Sequence, residues 1–449
     1  MRNKKWVLLM LIAIVMTSCT RPTVIEHTRE LESMEEGVTA DKVFLTFLYS
    51  GTDANWMSTI EHLTEDFMME NPNIILNMEP SDKGFYGESL KIKEAIDEFP
   101  DLFEIQNPYT FAEAGLLGRL PKSVYELVES PVYSNDACYA VPLYTTTYGI
   151  IYNRLMFKRL NINEPKTYDE FILVCKRLKA KGITPIAVGG SKQNYMLYWL
   201  NYFFQTDVLK NNPNWLKDKR MGKVSFTDDN IKTMFKHYQE LFHSGYINEN
   251  FMNMNDSQVI SGLIDEEVAM VYTGPWLFSQ IAEVYPEALI SDKNNLGQEL
   301  AIDDSVTFQL GWFFLPDTAG EPVVMNIKES NWAISTKCAE NAKKLEAATK
   351  FLKYYYSVEN YRKVLQSMNA LPTTRKAVLY PSGSVQRYLI NQYSFAYVSE
   401  AYLGDYDTPE EMKRYLYKML NTIATSKNEH TLEQMLEQLD ERWNRAGYE

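Results

Sequence analysis

Val43-Phe44-Leu45-Thr46-Phe47-Leu48-Tyr49 runs directly into Ser50-Gly51-Thr52-Asp53-Ala54-Asn55, and these two pieces decide the class of fold. The first is a short apolar run with no polar alternation, the pattern of a strand covered on both faces. The second is a polar turn. Trp56, Ile60, Leu63 and Phe67 then recur at helical spacing until Asn71-Pro72-Asn73 stops the helix. Working outward, residues 74–78 read as a second strand and residues 86–98 as a second helix with Leu90 and Ile96 inward. Asp101-Leu102-Phe103-Glu104-Ile105 reads as a third strand, and Gln106-Asn107-Pro108 opens a helix through Ala114. Strand and helix alternate, which predicts a parallel sheet with right-handed crossovers. Ligands of such open sheets bind outside the carboxyl ends of the strands. The rule selects the loops at 50–55 and 106–109, and with them Ser50, Asp53, Gln106 and Asn107. Asp53 and Asn107 equally suit the caps of the helices that follow them.

The later chain repeats the theme. Residues 143–152 are apolar, β-branched and aromatic, and predict one crossing strand. Thr167 stands as a helix cap with Glu170 three residues on, the pattern of a capping box. Residues 182–187 read as a helix stop and short strand, and residues 268–272 as a strand leading through Thr273-Gly274-Pro275-Trp276 into a helix. Residues 331–335 form another strand, residues 339–355 a helix with Leu345, Ala348 and Leu352 on one face, and a last helix begins at Thr431.

The 449 residues are 45% apolar and 13% aromatic, enough for a large core divided between two domains. The formal charge of −14 argues against nucleic acid as a partner, because phosphate binding needs a basic surface. At the amino terminus, Arg2, Lys4 and Lys5 precede an apolar run over residues 6–16, then Thr17, Ser18 and Cys19. A basic start, a short apolar stretch and small residues make an export signal, and the run is too short to span a bilayer, which takes about 20 residues. The Met16-Thr17-Ser18-Cys19 tail resembles the lipobox of bacterial lipoproteins, with Met16 where Leu is usual. That resemblance implies cleavage after residue 18, acylation of Cys19 and a lipid anchor in the cell membrane, with the protein on its extracellular or periplasmic face. Residues 19–40, polar and acidic, read as a tether. Cys138, Cys175 and Cys338 form no CxxC pair and predict free buried thiols rather than a disulfide framework.

Five stretches, in this order and spacing, resemble the family 1 extracellular solute-binding proteins, the sugar-binding components of ABC importers. They are Phe67-(x)3-Asn71-Pro72-Asn73-Ile74; Asp101-(x)13-Gly115-Leu116-Leu117; Val141-Pro142-Leu143 with Ile151-Tyr152-Asn153; Pro165-Lys166-Thr167-Tyr168-Asp169-Glu170-Phe171; and Ala269-Met270-(x)3-Gly274-Pro275-Trp276. Together they cover nearly the whole exported chain. The resemblance implies an α/β, two-lobed periplasmic-binding-protein-like fold of type II, each lobe a mostly parallel sheet flanked by helices, with the ligand cleft between. It assigns residues 41–145 with 318–375 to one lobe and residues 146–317 with 376–449 to the other. The chain would cross near residues 145–147 and 315–318, with a further exchange after Pro372. The implied function is non-catalytic: a monomer that captures a carbohydrate by cleft closure and hands it to a permease, with neither cofactor nor metal. A non-sugar solute such as a peptide or polyamine, or a surface enzyme acting on glycans, are the alternatives.

The resemblance also implies site residues. Trp276 would stack on sugar, the competing role being core packing. Gln106 stands where the family often has Asp. Tyr144 and Tyr148 either line the cleft or pack the hinge, Asn331 and Trp332 would face the cleft, and Arg375 is either a ligand contact or a surface charge. Trp199 and Trp312 fit core packing better. Enzyme signatures are missing from the sequence: His237 and His243 do not have the HExxH spacing, Gly189-Gly190-Ser191 lacks the P-loop Lys, and no GxSxG elbow occurs. Residues 292–297 faintly echo a calcium loop, but Leu296 occupies a ligand position, so an ordinary polar loop is expected.

Overall fold

The computed structural model describes residues 42–445, apart from 52, 82–85, 192–193, 289–305, 329, 377, 379–383, 395, 397, 400, 405–407, 409 and 427–428. The leader, Cys19, the tether and the calcium-like loop lie outside the described residues.

The opening stretch forms β1 (Val43–Ser50), α1 (Ala54–Glu70), β2 (Ile74–Ser81), α2 (Tyr86–Ala95), β3 (Leu102–Ile105) and α3 (Pro108–Glu113). Asp53 Oδ1 accepts from Trp56 N at 2.9 Å and caps α1. Trp56, Ile60, Leu63 and Phe67 are all buried, as their spacing predicts, against β1 and α9 (Ala342–Tyr355). Leu90 points inward, but Ile96 is exposed: α2 ends at Ala95 and Asp97 turns the chain with a positive φ.

Two sheets organise the molecule. The first has the order β2-β1-β3-β11-β5-β4, with β4 at Val132–Ser134, β5 at Ala137–Pro142 and β11 at Asn331–Ile334. The second has the order β7-β8-β6-β9, with β6 at Gly149–Asn153, β7 at Thr184–Ala187, β8 at Val268–Thr273 and β9 at Leu310–Phe313. Parallel pairing is confined to β1–β2, β1–β3 and β7–β8 in these sheets; β11 runs antiparallel to β3 and β5, and β6 antiparallel to β8 and β9. The sheets are therefore mixed rather than mostly parallel, because β11 and β6 each enter a sheet from the other one. A short ribbon pairs β10 (Val324–Met325) with β12 (Val398–Ser399).

The expected crossing strand over residues 143–152 is two pieces. Thr145 exchanges backbone hydrogen bonds with Leu371 at 3.0 and 2.8 Å, Thr146 does the same with Ile327 at 2.9 Å each way, and β6 starts only at Gly149. Three segments distant in sequence thus lie side by side where the chain passes between sheets. The return falls at Ile327, downstream of residues 315–318, because Leu315, Val324 and Met325 still pack on the core of the second sheet. That core is covered by α4 (Tyr168–Lys179), α5 (Asn194–Phe203), α6 (Asp229–His243), α7 (Asp256–Ile264) and α8 (Leu277–Val284). Thr167 caps α4 by accepting from Glu170 N at 3.1 Å, while the Glu170 carboxylate reaches Lys166 N at 2.8 Å, one residue short of a true box. Helix α10 (Val358–Met368) covers the first core, and α11 (Ser384–Ser394), α12 (Glu410–Thr425) and α13 (Glu429–Arg445) return to the second. Cys138, Cys175 and Cys338 are free and buried. Among the described residues no helix is long and apolar enough to cross a membrane.

Candidate functional site

A cavity of about 500 Å³ opens where the ends of the two sheets face each other. Ser50, Asp53, Trp56, Glu104, Gln106, Tyr144 and Ser330 reach it from the first sheet's side, and Asn194, Tyr195, Tyr198, Asp256, Trp276 and Gln280 from the second; Thr146 and Met368 complete the lining. The carboxyl ends of β1 and β3 place Ser50 and Gln106 here, as the strand rule predicts. Asp53 lines the cavity while one of its oxygens caps α1.

Glu104 is the residue that sequence reading missed most plainly. It is only 6% exposed, and its Oε2 accepts from Ser50 N and from Trp56 Nε1, both at 2.9 Å. Burial pushes its carboxyl above the ordinary range, and the donors from Ser50 and Trp56 pull it partly back. The signal was present: an acid inside the four-residue buried strand Leu102-Phe103-Glu104-Ile105 needs a reason, because buried carboxylates require partners. Its reason is the cavity on one side and Trp56 on the other.

Aromatic rings gather on the facing wall. Trp276, half-buried, lies 6.0 Å from Tyr148 and 5.9 Å from Tyr198, centroid to centroid, in edge contacts. Its ring folds back over Gly274, where an added Cβ would come within 1.7 Å of Cζ3. Only glycine leaves room for that rotamer, which explains the Gly-Pro-Trp turn at the end of β8. Tyr195 donates to Asp256 Oδ1 at 2.9 Å, joining α5 to the first turn of α7. Tyr144 stands across the cavity, 5.9 Å from Trp56 in an edge contact. Tyr195 and Tyr198 escaped sequence reading because one turn of a wholly buried aromatic helix gives no hint of which rings border a space.

Five expected contacts are placed elsewhere. Asn107 caps α3, accepting from Tyr109 N at 3.1 Å. Tyr148 sits behind the lining, buried and stacked on Tyr198 at 4.2 Å. Asn331 is fully buried and donates to Ile105 O at 3.3 Å, tying β11 to the end of β3. Trp332 is fully buried between Phe47 at 5.3 Å and Trp56 at 6.0 Å, with Tyr355 beyond, so its ring is shut away from any ligand. Both follow from β11 being a central strand, covered on its two faces. Arg375 is exposed, with its backbone bonded to Leu127 O, within electrostatic reach of Tyr133 at the β4 edge rather than at the cavity. Trp199 and Trp312 are core residues, Trp312 lying against Gly149.

A second cavity of about 510 Å³ lies among the helices of the second sheet, between α4, α5, α6 and the turn at Asp317. Tyr168, Tyr202 and Tyr246 give it rings, His237 Nδ1 pairs with an Asp207 oxygen at 2.9 Å, and Lys210 pairs with Asp317.

A family model described as bacterial extracellular solute-binding protein matches residues 52–362. The multiple sugar-binding protein of Streptococcus mutans serotype c is 23% identical over 360 residues, covering 77% of this chain and 76% of its own. Among solved structures, a chitin oligosaccharide binding protein aligns with a TM-score of 0.74 at 21% identity, over 91% of this chain and 100% of that one. The solute-binding protein RafE in complex with raffinose aligns with a TM-score of 0.67 at 20% identity, over 90% and 99%.

Proposed function

The chain belongs to the bacterial extracellular solute-binding protein family, and from that premise we infer that it is a non-catalytic receptor that captures a carbohydrate and delivers it to an ABC transporter permease. The observation that carries the reading is the composition of the cavity between the sheets. Trp276, Tyr144, Tyr195 and Tyr198 offer flat apolar faces, and Asp53, Glu104, Gln106, Asn194, Asp256 and Gln280 offer planar hydrogen-bonding groups. Sugars present both complements, C–H faces that pack on rings and hydroxyls that need polar partners. A space of this volume takes more than one sugar ring, which favours an oligosaccharide. The named ligands of relatives, multiple sugars, chitin oligosaccharide and raffinose, support the same class.

The lobes in this reading divide at the paired backbones of Thr145, Thr146, Ile327 and Leu371, which act as the hinge, so residues 318–326 go with the second sheet: residues 41–145 with 327–375 form one lobe and residues 146–326 with 376–449 the other. Ligand bridging both walls holds the closed form by its greater affinity for that form. Cys19 carries the lipid that keeps this monomeric receptor at the extracellular or periplasmic face of the cell membrane, and the tether sets its effective concentration near the permease. Fatty-acid labelling lost in Cys19→Ala tests the anchor. The three carboxylates of the cavity give weight to a second reading, a cationic solute such as a polyamine.

The test is thermal stabilisation across neutral oligosaccharides and polyamines, because a ligand that binds only the native state raises its melting point. Stabilisation by an oligosaccharide with no product formed is the expected result. Turnover of that sugar sinks the receptor, and stabilisation by polyamines alone replaces the sugar.

A further inference from the structure

The cavity between the sheets carries a charge pattern that selects among sugars. Asp53 and Glu104 reach it from the first sheet and Asp256 from the second, so carboxylates stand on opposite sides of the same space. Trp56 N donates to Asp53, Ser50 N and Trp56 Nε1 donate to Glu104, and the Tyr195 hydroxyl donates to Asp256. Among the described residues that line the cavity, none is Lys, Arg or His. Glu104 is the deepest of the three, and its position is fixed by two bonds from the end of β1 and from α1.

On the reading of the protein as a carbohydrate receptor, we propose that the cavity admits neutral glycans and rejects acidic ones, and that Glu104 is the residue that sets this discrimination. The physics is exclusion by like charge. A carboxylate on the ligand loses its water on entering and meets fixed carboxylates in a space where screening is weak. A hydroxyl at the same position donates a hydrogen bond to the same oxygens. Specificity thus comes from a repulsive element as much as from an attractive one. The outer cavity is built otherwise, with Asp207 held by His237 and Asp317 by Lys210.

The experiment uses the whole exported chain. A panel of neutral hexose oligosaccharides of two to five units, of gluco, galacto and N-acetylglucosamine type, is titrated by calorimetry at pH 7.5. Each binder is then compared with its counterpart oxidised at C6 to the carboxylate, and with the methyl ester of that acid. The acid should bind at least about tenfold more weakly than the parent, and the ester should recover most of the loss. Glu104→Gln keeps an acceptor oxygen for Trp56 and Ser50, and should narrow the gap between acid and parent. Asp256→Asn, on the other wall, should narrow it less. Equal binding of acid and parent overturns the proposal and leaves the receptor intact, as does a loss that the ester fails to recover, which would be steric. A gap unchanged in Glu104→Gln removes Glu104 from the role; if that variant does not fold, an unchanged gap in Asp256→Asn overturns the charge argument instead. Binding of no oligosaccharide takes down the receptor reading, and this proposal with it.

Discussion

The two cavities are nearly equal in size, about 500 and 510 Å³, and both are lined by tyrosines and carboxylates. They differ in what their walls belong to. Every wall of the outer cavity packs on the core of the second sheet, so its helices belong to one body, and Asp207 and Asp317 are paired within it with His237 and Lys210. The inner cavity takes one wall from each sheet, and the only polypeptide near it that joins the sheets is the set of crossings at Thr145, Thr146, Ile327 and Leu371 among the described residues. A receptor that signals occupancy by shape needs a ligand that touches two bodies at once. Size does not distinguish these spaces; the origin of their walls does.

The sharpest way to break the comparison is to remove one ring from each. Trp276→Ala should weaken oligosaccharide binding by about 2 kcal/mol or more, roughly thirtyfold in Kd, as large aromatic anchors at the centre of a contact do. Tyr246→Ala, in the outer cavity, should leave Kd unchanged. Calorimetric titration of both variants checks this, and the reverse outcome would move the site.

Gly274→Ala tests the same wall without deleting a contact. The new methyl would collide with the Trp276 ring, and overpacking of this kind costs about 1–3 kcal/mol. The ring must leave its place over the turn, so roughly tenfold weaker binding is expected, with the ring's altered near-ultraviolet dichroism as a second readout.

How much of this could be read beforehand follows from the range of the forces involved. The unit from β1 to α3 was legible because its signals are local: an apolar run, an Asp at a helix start, and Asn71-Pro72-Asn73 at its end. Ser50, Asp53 and Gln106 were legible because parallel pairing of β1 with β3 brings two carboxyl ends together. Trp332 was not, since alternation along a strand says which face a residue takes and not how deep that face lies. Residues 143–152 looked like one strand, yet Thr145 and Thr146 spend their backbone groups on Leu371 and Ile327, partners about two hundred residues away. Glu104 looked like strand filling because its donors come from Ser50 and Trp56, about fifty residues earlier.

The contact between the bodies offers a smaller effect. Asn369 ends α10 with a positive φ, and its side-chain amide donates to Ser279 Oγ on α8, the helix that begins just after Trp276. Asn369→Gly keeps the left-handed backbone comfortable and removes the amide. The same amide accepts from Gln386 Nε2 on α11, so two hydrogen bonds are lost, and affinity should change by about 1–2 kcal/mol at roughly 1 kcal/mol per bond. A change in sugar-induced compaction, followed by small-angle scattering, would show that the contact acts on closure.

The last contrast is in pH. Glu104 has a folded value raised above 4.5 by burial, so the native state holds more protons than the unfolded chain between those two values. Stability contributed at this site therefore falls as pH rises from about 4.5 through the raised value, then stays level. Glu104→Gln lacks that slope, and its melting temperature should gain on the wild type across this window. His237 also has a raised value, chiefly through its hydrogen bond with Asp207 and against the opposing effect of burial. Its contribution is fully present below about 6.5 and is lost as pH rises through the folded value. The imidazole is 44% exposed, so solvent screening makes this the smallest effect of the set. His237→Gln should flatten the melting curve only above pH 6.5, with sugar affinity unaltered at every pH; a coupled loss of affinity would join the outer cavity to the inner one.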